Sequence, residues 1–202
     1  MKIERFIVGP FQTNMYVVNN EHDVLIIDPA CYTENEKQMV LNYIESFHFS
    51  SFTFHLIATH GHLDHLWGAQ WATEQWSTPV LMHEADIPMA EAMQEQYDLF
   101  GIPLKAKPFP IDTFNFHLSS FNFQLISSPG HTPGSICLYF PEEKVLFSGD
   151  TLFRMGYGRT DLPGGNYGQL IDSLRRLFEL PSDVRVYPGH GEPTTIGAEQ
   201  RY

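Results

Sequence analysis

The sequence contains few cysteines. Only two occur among its 202 residues, Cys31 and Cys137, and they lack the spacing of a Cys-x-x-Cys pair. A chain of this length can bury a sizeable core and does not need disulfide cross-links to fold. The low cysteine content therefore argues against a disulfide framework, and we expect the reducing cytoplasm as the location of this protein.

Long hydrophobic runs are also missing. No stretch approaches the ~18 consecutive apolar residues that a membrane-spanning helix requires. No apolar segment follows residues 1–5, since Pro10, Gln12 and Asn14 interrupt the next stretch, so the start does not resemble a signal peptide. We therefore expect no membrane partner.

Charged residues are scarce, and basic residues are the scarcer kind. Charged residues of both signs make up 18% of the chain, with 12 Lys+Arg against 24 Asp+Glu and a formal net charge of -12. Phosphate recognition usually needs clustered Lys and Arg, so this balance argues against a nucleic-acid partner. Hydrophobic residues reach 43%, which excludes intrinsic disorder.

The strand and helix signals favour one α/β domain over residues 1–202. The alternating run from Asn14 to Val18 and the apolar run from Val24 to Asp28 predict a hairpin. Thr33 with Glu36, and later Asn166 with Gln169, predict two capped helix starts. Residues 114–118 and 121–125 alternate again and predict a second hairpin. Hairpin, strand and helix thus occur twice along the chain.

Ten histidines stand out in this acidic chain, and three of them lie in the segment Thr59-His60-Gly61-His62-Leu63-Asp64-His65. The segment directly follows the apolar run 56–58, and Gly61 favours a loop at the end of a strand. Such a loop can direct His60 and His62 toward one point and Asp64 and His65 toward another. Imidazole and carboxylate ligands suit zinc, iron or manganese. The alternative is a solvated polar loop without a metal.

Three further strand ends carry the same kind of residue. The strand 123–126 leads to Gly130 and His131, the strand 145–147 to Gly149 and Asp150, and the strand 184–187 to Gly189 and His190. Singly, each would be an ordinary loop residue. Four such loops together predict an active site, because glycine allows the backbone close approach and strand-end loops present functional side chains.

The motifs THGHLDH, SPGHTPGS, FSGDT and YPGHG, in this order, resemble the metal-binding motifs of the metallo-β-lactamase-fold hydrolases. The most similar subgroup is the glyoxalase II-like (hydroxyacylglutathione hydrolase-like) proteins. The resemblance covers nearly the whole chain, since the segments 26–29 and 158–165 also fit. It implies an αββα four-layer sandwich, with the metal site at one edge of the two sheets.

The resemblance also implies a ligand set for two divalent metal ions, with zinc expected first and iron or manganese as alternatives. His60, His62 and His131 would hold the first metal, and Asp64, His65 and His190 the second. Asp150 would bridge the two. The antibiotic-degrading branch of the family typically has Cys at that bridging position, so Asp150 argues against β-lactam hydrolysis.

Such a site implies attack of a metal-bound hydroxide on a substrate carbonyl. Asp64 and Asp150 are the catalytic candidates, and Asp64 could also orient the nucleophile or shuttle a proton. A thiol leaving group has a pKa near ~8.5 and can depart without a strong general acid. We therefore expect a small anionic thioester or ester as the substrate. The sequence does not indicate the oligomeric state.

Arg159 is the candidate for substrate binding. It lies where the glyoxalase II enzymes carry a cationic residue that contacts glutathione, and a guanidinium can hold a carboxylate bidentately. The alternative is a surface ion pair with Asp161. That aspartate stands where those enzymes have Tyr, and only 12 residues follow His190, without their helical extension. Glutathione as the carrier therefore stays open.

Two other functions remain as alternatives. The chain also resembles the persulfide dioxygenases, which share this fold and use one iron. The iron ligands here would be His60, His131 and Asp150. The third hypothesis is a metal-binding or sensing protein without turnover. The complete ligand set and the glycine-rich loops favour an enzyme.

Overall fold

Two mixed β-sheets pack face to face in the structure, a computed structural model that describes residues 1–47, 52–114 and 121–200. The first sheet has six strands in sequence order: β1 Lys2–Val8, β2 Thr13–Asn19, β3 Asp23–Ile27, β4 Thr53–Ile57, β5 Val80–Met82 and β6 Ile111–Thr113. Its first three strands pair antiparallel and the remaining pairs are parallel.

The second sheet has five strands in the order β13-β12-β9-β8-β7. Its strands are β7 Gln124–Ser127, β8 Ile136–Phe140, β9 Val145–Gly149, β12 Arg185–Pro188 and β13 Thr194–Thr195. The pair β9 and β12 is parallel and the other pairs are antiparallel. A two-stranded ribbon lies apart, formed by β10 Leu152–Phe153 and β11 Gly156–Tyr157.

Helices cover the outer face of each sheet. The helices of the first half are α1 Glu34–Glu45, α2 Leu63–Leu66, α3 Ala69–Trp76, a short 3-10 turn Glu84–Asp86, α4 Ile87–Glu91 and α5 Met93–Leu99. The second half contributes α6 Tyr167–Leu177 and α7 Ile196–Glu199. None of these described helices has the length and apolar character that crossing a membrane would require.

Alternation along the strands builds three apolar layers. In β2, Met15 and Val17 pack toward the helices of the first sheet, whereas Tyr16 and Val18 pack between the two sheets. In β8, Leu138 lies between the sheets while Cys137 and Tyr139 pack in the core that contains Leu170 and Leu174 of α6. Side chains alternate across a strand with a period of two, so both faces of each sheet are buried. The predicted αββα four-layer sandwich is confirmed.

Local sequence signals located most of these elements. The hairpin of β2 and β3 forms as predicted, and Thr33 and Asn166 cap α1 and α6. The sequence interpretation missed β1, whose burial alternates only weakly. In the second predicted hairpin, residues 115–120 lie outside the described residues, and β7 begins at Gln124 rather than at residue 121.

The four motif loops follow β4, β7, β9 and β12, and the two sheets are joined by hydrogen bonds beside these loops. The Asn14 amide donates to the Gly189 carbonyl at 2.7 Å, and the Ile136 amide donates to the Thr59 carbonyl at 2.9 Å. Both bonds connect the first sheet with the second. One edge of the sandwich therefore carries all four motifs.

Candidate metal centre

Three histidines form the first group of potential ligands. His60 and His62 come from the loop after β4, and His131 comes from the loop after β7. Their ligand atoms lie within 4.8 Å of one another, and His62 Nδ1 is 2.9 Å from His131 Nε2. All three side chains are buried. The structure thus brings together the three residues expected to hold the first metal.

Asp64, His65 and His190 form the second group. Asp64 Oδ2 lies 3.2 Å from His190 Nε2 and 3.5 Å from His65 Nε2. Asp64 and His65 belong to the one-turn helix α2, where the sequence predicted only a loop. Because this helix begins directly after His62, successive side chains point to different sides and separate the two groups.

Asp150 lies between the two groups. Its Oδ1 is 3.3 Å from His65 Nε2, while its Oδ2 is 3.5 Å from His131 Nε2 and 3.6 Å from His190 Nε2. The carboxylate therefore contacts members of both groups, which is the position expected of a bridging ligand. All seven predicted ligands meet at one point of the molecule, and their binding of metal stays a prediction.

Hydrogen bonds on the far side of the rings orient three of the histidines. His65 Nδ1 lies 2.8 Å from Asp28 Oδ2, His131 Nδ1 lies 2.7 Å from the Arg159 carbonyl, and His60 Nδ1 lies 3.1 Å from Thr59 Oγ1. Metal-binding histidines usually donate their second ring N–H to such an acceptor. Each bond to Nδ1 leaves Nε2 as the ring nitrogen directed at the centre.

Burial and neighbouring charges shift the pKa values of the titratable groups of the site. Burial, with the neighbouring His131 as the next cause, lowers the pKa of His62 to about 3, and burial holds the pKa of His60 well below its usual value. Both shifts favour the neutral ring, which is the form that binds metal. Burial alone would raise the pKa of Asp64 and of Asp150, but nearby histidines outweigh it and lower both.

The second group attracts positive charge. Burial works to lower the pKa of His65 and of His190, yet the nearby carboxylates dominate and raise both. These are Asp64, Asp28 and Asp150 for His65, and Asp64 and Asp150 for His190. Carboxylates that stabilise a proton on these imidazole rings would also stabilise a metal cation bound to the same nitrogens, so the two compete. This electrostatic preference suits a divalent metal ion.

Buried polar atoms without partners provide a direct test of fit. Among the described residues, His60 Nε2, His65 Nε2 and Asp150 Oδ1 are buried and have no hydrogen-bond partner, since the 3.3 Å approach of the last two lacks hydrogen-bond geometry. Orphaned buried groups are costly and rare in native proteins. All three are ligand atoms of the expected site, and nitrogen and oxygen donors suit zinc, iron or manganese. The residues therefore fit divalent metal ions.

The sequence interpretation missed two carboxylates that support the site. Asp28 accepts hydrogen bonds from the Thr59 amide at 2.7 Å and from the Thr59 hydroxyl at 2.9 Å, besides its contact with His65. Its position at the end of β3 was an available signal, because it repeats the pattern of a strand followed by an acidic residue.

Asp86 is the second missed carboxylate, and it connects two motif loops. Fully buried, it accepts hydrogen bonds from the Gly61 amide at 2.8 Å, the Gly134 amide at 2.6 Å and the Thr132 hydroxyl at 2.6 Å. Gly61 separates His60 from His62, and Thr132 follows His131. The local sequence gave no signal for this role, since Asp86 lies in a short turn before α4.

Arg159 enters the site through its backbone more than through its side chain. Its carbonyl orients His131, while its guanidinium makes two hydrogen bonds to Asp161, at 2.6 and 2.7 Å. Arg159 is also one of the residues that line the pocket beside the proposed metal ligands. The surface ion pair considered for Arg159 is present, and its contact with substrate stays a prediction.

A pocket of about 140 Å³ opens onto the ligands. Besides five of the ligands, its lining includes the apolar side chains of Phe11, Phe100 and Leu162. A smaller apolar cavity of about 50 Å³ adjoins it, and the two share His62, Gln96, Phe100 and Leu162. The arrangement can hold a small molecule with one polar end at the ligands and an apolar part against the rim.

Comparison with known proteins agrees with this geometry. The family model described as the metallo-beta-lactamase superfamily matches residues 8–190. A hydroxyacylglutathione hydrolase GloC from Haemophilus influenzae is 37% identical over 209 residues, covering 100% of this chain and 96% of the relative.

Two solved structures are similar over nearly their whole length. TTHA1623 in a di-iron-bound form has a TM-score of 0.85 at 35% identity, covering 98% of this chain and 97% of that one. The BLEG-1 B3 metallo-beta-lactamase has a TM-score of 0.84 at 31% identity, covering 100% and 97%. With its four-layer fold and its His/Asp groups at one edge, the chain belongs to the metallo-beta-lactamase superfamily.

Proposed function

We propose that this protein is a metal-dependent hydrolase that cleaves a small thioester or ester. The observation that carries the proposal is the pair of ligand groups joined by Asp150, which opens into a pocket with an apolar rim. Membership of the superfamily and the relative named hydroxyacylglutathione hydrolase support this reaction class.

Two divalent ions are proposed for the site. His60, His62 and His131 would hold one, Asp64, His65 and His190 the other, and Asp150 would contact both. The ligands include no thiolate, so zinc, iron and manganese all suit them. Zinc is our first choice for a hydrolase, and the di-iron form of a structural relative supports iron as the second.

Divalent ions bound by these residues would lower the pKa of water toward ~7 and would polarise a carbonyl. The residues of the chain supply orientation. Asp64 accepts a hydrogen bond from the buried Thr13 hydroxyl at 2.8 Å through Oδ2. The same oxygen contacts His190, which fixes the carboxylate and leaves Oδ1 as the atom that would orient the nucleophile. We propose Asp64 and Asp150 as the catalytic carboxylates.

The proposed substrate is a small anionic molecule. Phe11 and Phe100 are 42% and 39% exposed at the rim, so an acyl group can pack on them without displacing core residues. A thiol leaving group with a pKa near ~8.5 departs as the thiolate and needs no strong acid. The described pocket lining contains no Lys and only one Arg, Arg159, as a partner for the anionic end.

Three assays on the metal-loaded protein discriminate between the reactions that the fold supports. We expect hydrolysis of S-lactoylglutathione, no oxygen uptake with glutathione persulfide, and no cleavage of a chromogenic cephalosporin. Oxygen uptake with one iron per chain would instead establish the persulfide dioxygenase. Cephalosporin cleavage without thioester cleavage would place the protein with its β-lactamase relative.

A matched pair of variants ties the activity to the site. Asp150→Ala should abolish thioester hydrolysis, because it removes the carboxylate that contacts both ligand groups. Asp172→Ala removes an exposed carboxylate on α6 and should leave the rate unchanged. Full activity in Asp150→Ala would overturn the assignment of the site.

A further inference from the structure

A second cavity, of about 180 Å³, lies on the helical side of the first sheet. It is bounded by α1, α3, α5 and the irregular segment 101–110, and its lining shares no residue with the lining of the metal pocket. Lys37, Lys105 and Lys107 belong to that lining, and we refer to the cavity as the lysine cavity.

The charge of the lysine cavity is opposite to that of the protein. The chain has twice as many acidic as basic side chains and only five lysines, yet three of the five line this cavity. No Asp or Glu is among the described lining residues. A cleft lined by one sign of charge concentrates ligands of the opposite sign. The cavity therefore favours anions.

Two of the three lysines are available to a ligand. Lys37 already pairs with Glu34 at 3.1 Å, and its ammonium lies 5.9 Å from the centre of the Trp71 ring. Lys105 and Lys107 are exposed and form no hydrogen bond or ion pair with any residue that the structure describes. Their ammonium groups keep all their donors for an incoming anion.

One glutamine fixes the backbone that carries Lys105. The Gln94 side chain, from α5, accepts a hydrogen bond from the Ala106 amide at 3.0 Å and donates one to the Leu104 carbonyl at 3.3 Å. These bonds lie on both sides of Lys105. The lysine therefore extends from a positioned stretch of chain, although residues 101–110 belong to no helix or strand.

Aromatic side chains form the walls of the lysine cavity. Tyr32, Trp67, Trp71 and Tyr97 line it, and the Tyr32 and Trp67 rings lie 4.9 Å apart between centroids. The indole nitrogen of Trp67 is buried and has no hydrogen-bond partner among the described residues. Aromatic faces bind flat rings, and an unpaired indole N–H favours an acceptor nearby.

We propose that the lysine cavity is a second ligand site, which binds a small organic anion carrying an aromatic ring. The ring would pack on the aromatic walls, and the anionic group would pair with Lys105 and Lys107. This site is separate from the metal centre and does not depend on the reaction that occurs there.

Calorimetric titration with 4-nitrobenzoate, and with 4-nitrobenzamide as its uncharged counterpart, tests the proposal on the metal-loaded protein. We expect saturable binding of the carboxylate and at least about tenfold weaker binding of the amide, because a hydrogen bond to a charged group is stronger than one between neutral groups. No saturable binding of the carboxylate, or equal affinity for the two compounds, would overturn the site.

Two charge-matched double variants locate the binding. Lys105→Gln with Lys107→Gln should raise the Kd for 4-nitrobenzoate about tenfold or more. Lys2→Gln with Lys144→Gln removes the same charge elsewhere and should leave the Kd unchanged. An equal rise of the Kd in both variants would show unspecific electrostatic attraction and would contradict the proposal. An unchanged Kd in the first variant would place the carboxylate elsewhere, such as at the metal centre, and would contradict the proposal.

Discussion

At the scale of single residues, the candidate metal centre depends on histidines whose two ring nitrogens have different roles. His65 presents Nε2 to the centre because Asp28 holds its Nδ1, and Asp28 itself adopts a positive φ of 55° at the end of β3. A left-handed conformation is unusual for a residue other than glycine and occurs at sites where the surroundings enforce it. The ligand and its carboxylate partner are thus fixed together.

The pairing of Arg159 with Asp161 makes a residue-scale prediction. Arg159→Ala should raise the KM for an anionic thioester roughly tenfold with little change in kcat, since it removes the one Arg of the described pocket lining, which contains no Lys. Asp161→Asn should lower the KM, because it releases the guanidinium from its bidentate partner. Steady-state kinetics of both variants checks this.

Arg175→Ala provides the control, because Arg175 forms a comparable exposed pair with Asp172 on α6. Its KM should equal that of the unsubstituted protein. If Arg159→Ala leaves the KM unchanged, the side chain has no role in the pocket and only its carbonyl contributes, through His131.

The sequence was sufficient to predict which side chains meet at the site but not the groups that orient them. His60, His131 and Asp150 stand in short motifs at strand ends, where local spacing indicates chemistry. Asp86 contacts Gly61, Thr132 and Gly134, residues that are 25 to 48 positions away in the chain. Such a contact depends on the packing of the turn before α4 against two loops, which no local pattern encodes.

At the scale of elements, Asp86 joins the loop after β4 to the loop after β7. Asp86→Asn should lower the free energy of unfolding by about 2–4 kcal/mol. The NH2 group of the asparagine is itself a donor, and it would face buried N–H or O–H donors that now bind a carboxylate oxygen. Metal content after dialysis should fall as well, since His60, His62 and His131 lose their common support. Urea unfolding and elemental analysis measure the two effects.

Asp172→Asn is the matched substitution on the surface of α6, and it should change neither quantity beyond about 0.5 kcal/mol. Equal stability and equal metal content in the two variants would show that the motif loops hold their arrangement without Asp86.

Gly189 shows how closely the loop after β12 approaches the centre. A Cβ atom at this position would lie 2.7 Å from His65 Cε1 and closer still to Asp150 Oδ1. Gly189→Ala should therefore displace both ligands and abolish stable metal binding, which elemental analysis of the purified variant measures.

Gly156→Ala is the control, because a Cβ there meets no heavy atom within 4 Å. It should retain the metal content of the unsubstituted protein. Full metal content in Gly189→Ala would mean that the loop after β12 can move away without loss of the site.

At the scale of the whole molecule, the sandwich brings distant parts of an acidic chain to one edge. The seven proposed ligands span residues 60 to 190 and come from loops of both sheets. The alternating strands and the helix caps allowed the layers to be predicted, because they depend on local periodicity. The exact register between the sheets could not be predicted, since bonds such as that from Asn14 to Gly189 depend on the completed fold.

Metal removal should destabilise the entire fold. Without metal, His60 Nε2 and His65 Nε2 are buried and have no hydrogen-bond partner among the described residues. Metal ions that bind only the folded state stabilise that state by mass action. Dialysis against a chelator should lower the Tm by roughly 10 °C. Added zinc should restore the Tm, and scanning calorimetry measures both changes. An unchanged Tm would mean that no tightly held metal supports the fold.

Stepwise addition of metal to the chelated protein, with thioester hydrolysis measured at each step, tests the central claim most directly. We predict that hydrolysis of S-lactoylglutathione is absent without metal and rises to a plateau at two equivalents of a divalent ion per chain. Asp150→Ala should show no rise. Full thioesterase activity in the metal-free protein would contradict the account, as would oxygen-consuming activity that reaches its plateau at one equivalent of iron.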